Sequence, residues 1–79
     1  MESPEQRIAA AICVVFELDE EPINLIAAAS LLLAAAKRGE SEMTLRHELG
    51  KLQNRKSRRI VDADCRKLVE IIMRAVRNT

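Results

Sequence analysis

The chain reads as an all-α protein, a small bundle of three or four helices that homodimerisation completes. Three observations point there. Leucine, alanine, glutamate, lysine and arginine are abundant, while glycine and proline occur twice each in 79 residues, a balance that favours helix nearly everywhere. Apolar residues recur at spacings of three and four, the repeat of a helix face. The stretch from residue 23 to 36 is apolar all round apart from Asn24 and Ser30, and a helix with no polar side has to be enclosed.

The first helix is predicted over residues 4 to 18. Ser3 is its N-cap, Pro4 its first helical position, and Gln6 stands three residues after the cap, where its amide can complete a capping box. The acidic turn Glu17, Asp19, Glu20 and Glu21 then leads into a second helix, because negative charge is favourable where unpaired N–H groups gather at a helix start. That helix is predicted from Pro22 to Lys37, with Lys37 and Arg38 beside its free carbonyls and Gly39 just beyond. On a helical wheel Ile26 and Leu33 fall on one side, Leu25 and Leu32 on another, and Leu31 near Ala27 and Ala34 on a third. Three short neighbours can hardly cover all of these, so a second copy is the economical cover. The triplets at 27–29 and 34–36, all alanine, would let a partner helix approach closely.

A third helix is predicted from Ser41 or Thr44 to Arg55, with Leu45, Leu49 and Leu52 as a narrow stripe and Gly50 weakening it by roughly 1 kcal/mol relative to alanine. A break follows around Asn54 to Ser57, where Ser57 is available to cap the last helix. That last helix is predicted over residues 58 to 77. Val61, Cys65, Leu68, Ile72 and Ala75 form its apolar line, and Arg59, Arg66, Lys67, Glu70, Arg74 and Arg77 its polar face. The residues expected in the shared core and dimer contact are Ile26, Leu32, Leu33, Val61, Cys65, Leu68 and Ile72. No internal repeat or second domain is visible, so residues 1–79 form one helical domain.

A chain this short buries only about 60% of the surface its unfolded form exposes, and small folds therefore lean on disulfides, metals or association. Cys13 and Cys65 both sit among apolar neighbours and read as buried thiols. With His47 they do not make the closely spaced ligand pairs of a zinc site, so no metal and no cofactor is expected. The first residues carry Glu2 and Glu5 where a secretory signal would carry basic residues, and the longest apolar run falls short of the ~18 residues of a membrane span. The expectation is a cytoplasmic protein with no membrane partner.

Catalysis requires converging polar groups in a concave site, and the chain offers few. His47-Glu48 opens like a metalloprotease motif, but Lys51 stands where the second histidine belongs. Gly39 and Gly50 stand alone rather than in a phosphate loop, and the acidic turn lacks the spacing of a calcium loop. His47 is expected to be exposed. An enzyme is not expected.

Charge is unevenly distributed. Residues 1–36 carry one basic and six acidic side chains, a net −5, whereas residues 37–79 carry twelve basic and six acidic, a net +6. Arg55, Lys56, Arg58 and Arg59 form a compact basic run without an acid, of the kind that attracts phosphates or acidic protein surfaces. A solvated helix junction is the plainer reading of that run, since nearby cations pair with acids at contact spacing, Asp62 with Arg66 and Glu70 with Arg74. Phe16 is the sole aromatic residue, so no platform exists for stacking unpaired bases. Duplex recognition would use Arg46, Gln53, Asn54 and Arg55, but the connection at 37–41 does not resemble a helix-turn-helix. The sequence therefore predicts a small interaction module, a regulator or inhibitor that binds itself and a larger protein target through helical apolar surface. The second reading is a dimeric duplex-DNA-binding regulator using the run at 55–59.

Overall fold

The computed structural model describes residues 2–55 and 58–78, and among them there are helices and turns but no strand. Four α-helices follow one another: α1 (Pro4–Val15), α2 (Ile26–Lys37), α3 (Glu42–Gly50) and α4 (Asp62–Arg77). Short 3-10 segments precede α2 (Pro22–Leu25) and follow α3 (Lys51–Arg55).

The start of α1 follows the sequence signal closely. The Ser3 amide donates to Gln6 Oε1 at 2.8 Å and the Gln6 amide to Ser3 Oγ at 3.2 Å, the reciprocal pair of a capping box. Its end comes earlier than the apolar pattern predicts, at Val15 rather than Leu18. Glu17 turns left-handed there (φ 54°), letting its amide reach Val14 O at 3.3 Å and the Leu18 amide reach Cys13 O at 3.0 Å. These two bonds are a Schellman closure, built on a glutamate where glycine is usual. The same closure ends α2: Gly39 (φ 81°) donates to Ala36 O at 3.0 Å and Glu40 to Ala35 O at 3.2 Å.

Other boundaries also differ from expectation. The segment opening at Pro22 is 3-10 as far as Leu25, whose backbone (φ −110°, ψ 6°) departs from helical geometry before α2 begins at Ile26. Ser41, not Thr44, caps α3: its Oγ accepts from the Thr44 amide at 3.2 Å. After Gly50 the third helix tightens to 3-10, which still brings Leu52 into the core. The last helix begins at Asp62 rather than Arg58. Val61 is extended (φ −105°, ψ 151°) and serves as N-cap through its backbone carbonyl, while Asp62 and Asp64 place negative charge in the first turn. Val61 therefore leaves the buried stripe and is 50% exposed. Ser57, the expected cap, lies outside the described residues.

One core joins the four helices. Ile8 and Ile12 of α1, Phe16 and Leu25 of the connection, Leu45 and Leu49 of α3, and Leu68 and Ile72 of α4 are fully buried. No polar or charged residue among those described is buried with them. Both α2 and α4 pack on every other helix, whereas α1 and α3 do not meet. Leu32 and Leu33 are 3% exposed within a single chain, Cys65 is buried and Ile26 is half-buried. The radius of gyration, 11.3 Å, agrees with the ~11.6 Å of a compact chain this long.

The glycines and Glu17 yield a directed set of stability changes. Gly50 has helical backbone and open space around an added Cβ, so Gly50→Ala should stabilise the fold by about 0.5–1 kcal/mol. Gly39 also has open space, but its positive φ means that Gly39→Ala should cost about 1 kcal/mol. Glu17→Gly, which relieves the left-handed strain, should gain several tenths of a kcal/mol. Urea unfolding midpoints of the three variants should move up, down and up respectively.

Candidate interaction surfaces

Each helix turns its buried stripe inward by its own periodicity, and what remains outside α2 is unusual. Ala29, Leu32, Leu33, Ala35 and Ala36 face the core, while Ala27, Ser30, Leu31 and Ala34 face outward. Ile23 is also exposed, in the 3-10 segment before α2. Ile23 is 72% and Leu31 70% exposed. At about 100° per residue the four positions within α2 fall in a stripe roughly 100° wide, without a charged group in it. Beside the stripe a shallow groove of ≈ 150 Å³ is lined by Ala28, Leu31, Leu32, Glu48, Lys51 and Leu52. The Lys51–Glu48 ion pair at 2.9 Å supplies its only charged groups, and they compensate each other.

The basic run is organised differently from an open patch. Arg55 Nη1 donates to Glu20 Oε1 at 2.6 Å, tying the end of the third helical segment to the acidic turn after α1. Gln53 is occupied at both ends of its amide: Nε2 donates to Arg58 O at 2.9 Å and Oε1 accepts from the Ile60 amide at 2.8 Å. This clamp orders the approach to α4. Arg46 donates to Glu42 at 3.1 Å across one helical turn. Three of the four side chains that duplex recognition would use are thus engaged within the chain, leaving Asn54 exposed. Arg58 and Arg59 are exposed, and Lys56 lies outside the described residues. Sequence reasoning missed the Gln53 clamp and the Arg55–Glu20 tie because their partners are distant in the chain or use backbone atoms.

A cleft of ≈ 410 Å³ lies between the start of α3 and α4 and is lined partly by Glu40, Glu42, Arg66, Glu70 and Arg77. Its carboxylates already have cations: Arg38 for Glu40, Arg46 for Glu42 and Arg74 for Glu70. Among the described residues no three histidine, cysteine or acidic side chains are grouped to hold a metal ion, and no helix is long and apolar enough to cross a membrane. His47 is exposed in the last turn of α3.

Both cysteines are thiols. Cys65 is buried, whereas Cys13 is half-buried, less than the sequence implied. Desolvation pushes the Cys13 thiol above its ordinary 9.0, and the Glu20 carboxylate adds to the effect. Comparison with protein-family models, curated proteins and solved structures finds no match to this chain.

Two predictions follow from these contacts. Gln53→Ala should release the 58–60 backbone and speed tryptic cleavage after Arg58 and Arg59 severalfold, with little change in helical circular dichroism, because exposed loops yield to proteases once their local bonds are lost. The raised Cys13 pKa means that the folded chain holds this proton more tightly than the unfolded one, so the thiol's contribution to stability falls as pH rises past 9.0. Alkylation of Cys13 near pH 9, followed by peptide mass spectrometry, should be slower in the folded than in the urea-unfolded chain. Glu20→Gln should speed it.

Proposed function

We propose that this protein is a small non-catalytic helical interaction module, a regulator or inhibitor that docks on a larger protein, and that it also self-associates through the outward face of α2. The observation that carries the reading is the uncharged stripe of Ala27, Ser30, Leu31 and Ala34, with Ile23 exposed just before it, which stays outside after the core has closed. Exposed contiguous apolar surface is what helix-mediated recognition uses. The small side chains allow a partner helix close, and Ile23 and Leu31 provide the anchors. Apart from Glu48 and Lys51, which neutralise one another, the adjoining groove extends the same apolar character toward α3. Two thiols, one of them in the helical core, suit a reducing compartment such as the cytoplasm.

A duplex-DNA reader has less support, since Gln53, Arg55 and Arg46 each already bond a group of the same chain. An enzyme has less still, because the acids of the main cleft are paired with neighbouring arginines.

Two substitutions separate the surface role of α2 from its core role. Leu31→Glu places a charge in solvent and should leave a helical, cooperatively unfolding chain that sediments as a monomer. Leu33→Glu buries an unpaired charge at a cost of several kcal/mol, against a total stability of only ~5–15 kcal/mol, and should unfold the chain. Sedimentation of the wild type at ~10–100 µM should show dimer, as expected for a small interface of modest affinity. Identical monomer masses for wild type and Leu31→Glu throughout that range would remove self-association from the reading.

A further inference from the structure

We infer that the cleft between the start of α3 and α4 receives an extended acidic segment of the target protein, with carboxylates at its two ends and an apolar side chain between them. The inference rests on the reading of the chain as an interaction module, but it makes no use of the α2 face. From α4 the cleft is lined by Arg66, Val69, Glu70, Met73 and Arg77. These positions fall within about 100° of one another around the helix, so they share one face. Val69 is buried and Met73 half-buried, which gives the middle of the cleft an apolar floor. An arginine stands at either end.

Charge decides what that floor receives. Glu40, Glu42 and Glu70 also line the cleft, and each is bonded to an arginine outside the lining, respectively Arg38, Arg46 and Arg74. Arg66 has Asp62 and Glu70 at the spacing of helical neighbours, yet among the described residues it pairs with neither, and Glu70 takes Arg74 instead. Arg77 has only Met73 and Arg74 one turn away, so α4 offers it no acid. The acids of the cleft are thus all matched, and the charges left over, Arg66 and Arg77, are both positive and exposed. A carboxylate at each end meets an unspent guanidinium, whose planar fork suits it. A basic segment would meet like charge.

Length and width fix the form of the segment. Arg66 and Arg77 are separated by about 16.5 Å along the axis of α4. An extended chain covers that distance in about five residues. A helix with its side chains is about 10–12 Å across, so a single turn fills about 500 Å³, more than the ≈ 410 Å³ of the cleft. Extended backbone that directs one apolar side chain at Val69 and Met73 is the form that enters.

The test titrates the isotope-labelled full chain with a capped peptide, two aspartates at each end and Ala-Leu-Ala between them, and follows amide signals by NMR at low salt. Signals of residues 66–77 should move. Arg66→Glu and Arg77→Glu should each weaken binding by about fivefold to tenfold, and Arg66→Gln and Arg77→Gln by about threefold with helical circular dichroism retained. Replacing the central leucine of the peptide by serine should cost about tenfold. A peptide with lysine for aspartate should bind the wild type at least tenfold more weakly, and the variant carrying both Arg→Glu changes should prefer it. Lys67→Glu makes the same charge change on α4 outside the cleft and should cost less than twofold. Leu31→Glu should leave the affinity unchanged. An effect of Lys67→Glu equal to that of the arginine reversals assigns the attraction to general basic charge and overturns the cleft, as does the absence of any shift at millimolar peptide. Displacement of the peptide by mixed duplex DNA at ~0.15 M salt assigns the arginines to phosphate and overturns it too. Binding lost with Leu31→Glu but indifferent to both arginines places docking on α2, which overturns the cleft and leaves the interaction module standing.

Discussion

Everything in this fold is arranged around the need to enclose α2, a helix whose twelve residues carry no charge before Lys37. Leucines project from α2 in several directions, and only three other helices are available to receive them. All three pack on it. The two largest core-facing side chains, Leu32 and Leu33, are sealed within one chain. Burying each leucine is worth about 1.5–3 kcal/mol, enough to draw the neighbours to that side at the expense of the other. The outward stripe is the remainder of this arrangement, and its position follows from where the core closes.

Enclosure also requires the chain to reverse tightly at both ends of the second helical segment. Two Schellman closures limit α1 and α2, and their bonds satisfy carbonyls that would otherwise sit at the edge of an apolar core. Glycine at position 39 makes the second reversal inexpensive. Glutamate at position 17 makes the first one strained, and its tolerance there fits a turn further secured by the neighbouring Glu20–Arg55 bond. On the far side, Gln53 binds two backbone groups of the 58–60 segment. This bond pattern delays α4 until Asp62 and delivers Cys65, Leu68 and Ile72 to the core in register.

The legible parts of the fold are those governed by neighbours in sequence. The Ser3 capping box, the Gly39 stop and the stripe Cys65, Leu68 and Ile72 depend on residues within two turns of one another, and they appear where periodicity and capping chemistry place them. What could not be read depends on tertiary contact or on backbone choices with weak side-chain signals. Val61 continues an apolar spacing, yet the backbone is extended at that point and the side chain turns to solvent. Leu32 and Leu31 are adjacent leucines with opposite fates, and only the placement of α1, α3 and α4 distinguishes them. The candidate surface was therefore legible as a surplus of apolar area but not as a set of residues. The basic run was legible as charge, while its internal engagements were not.

The uneven charge of the chain has a structural use once the fold is formed. An acidic first half and a basic second half attract each other, and Glu20 with Arg55 shows the attraction realised across 35 positions of sequence. A pair this exposed adds at most about 1 kcal/mol, so its greater effect is on which ends of the chain come together. In the polar cleft beside α4 the acids are each committed to an arginine of the same chain. What the core leaves uncovered on α2 is apolar and uncharged, and it is this surface on which the proposed interaction rests.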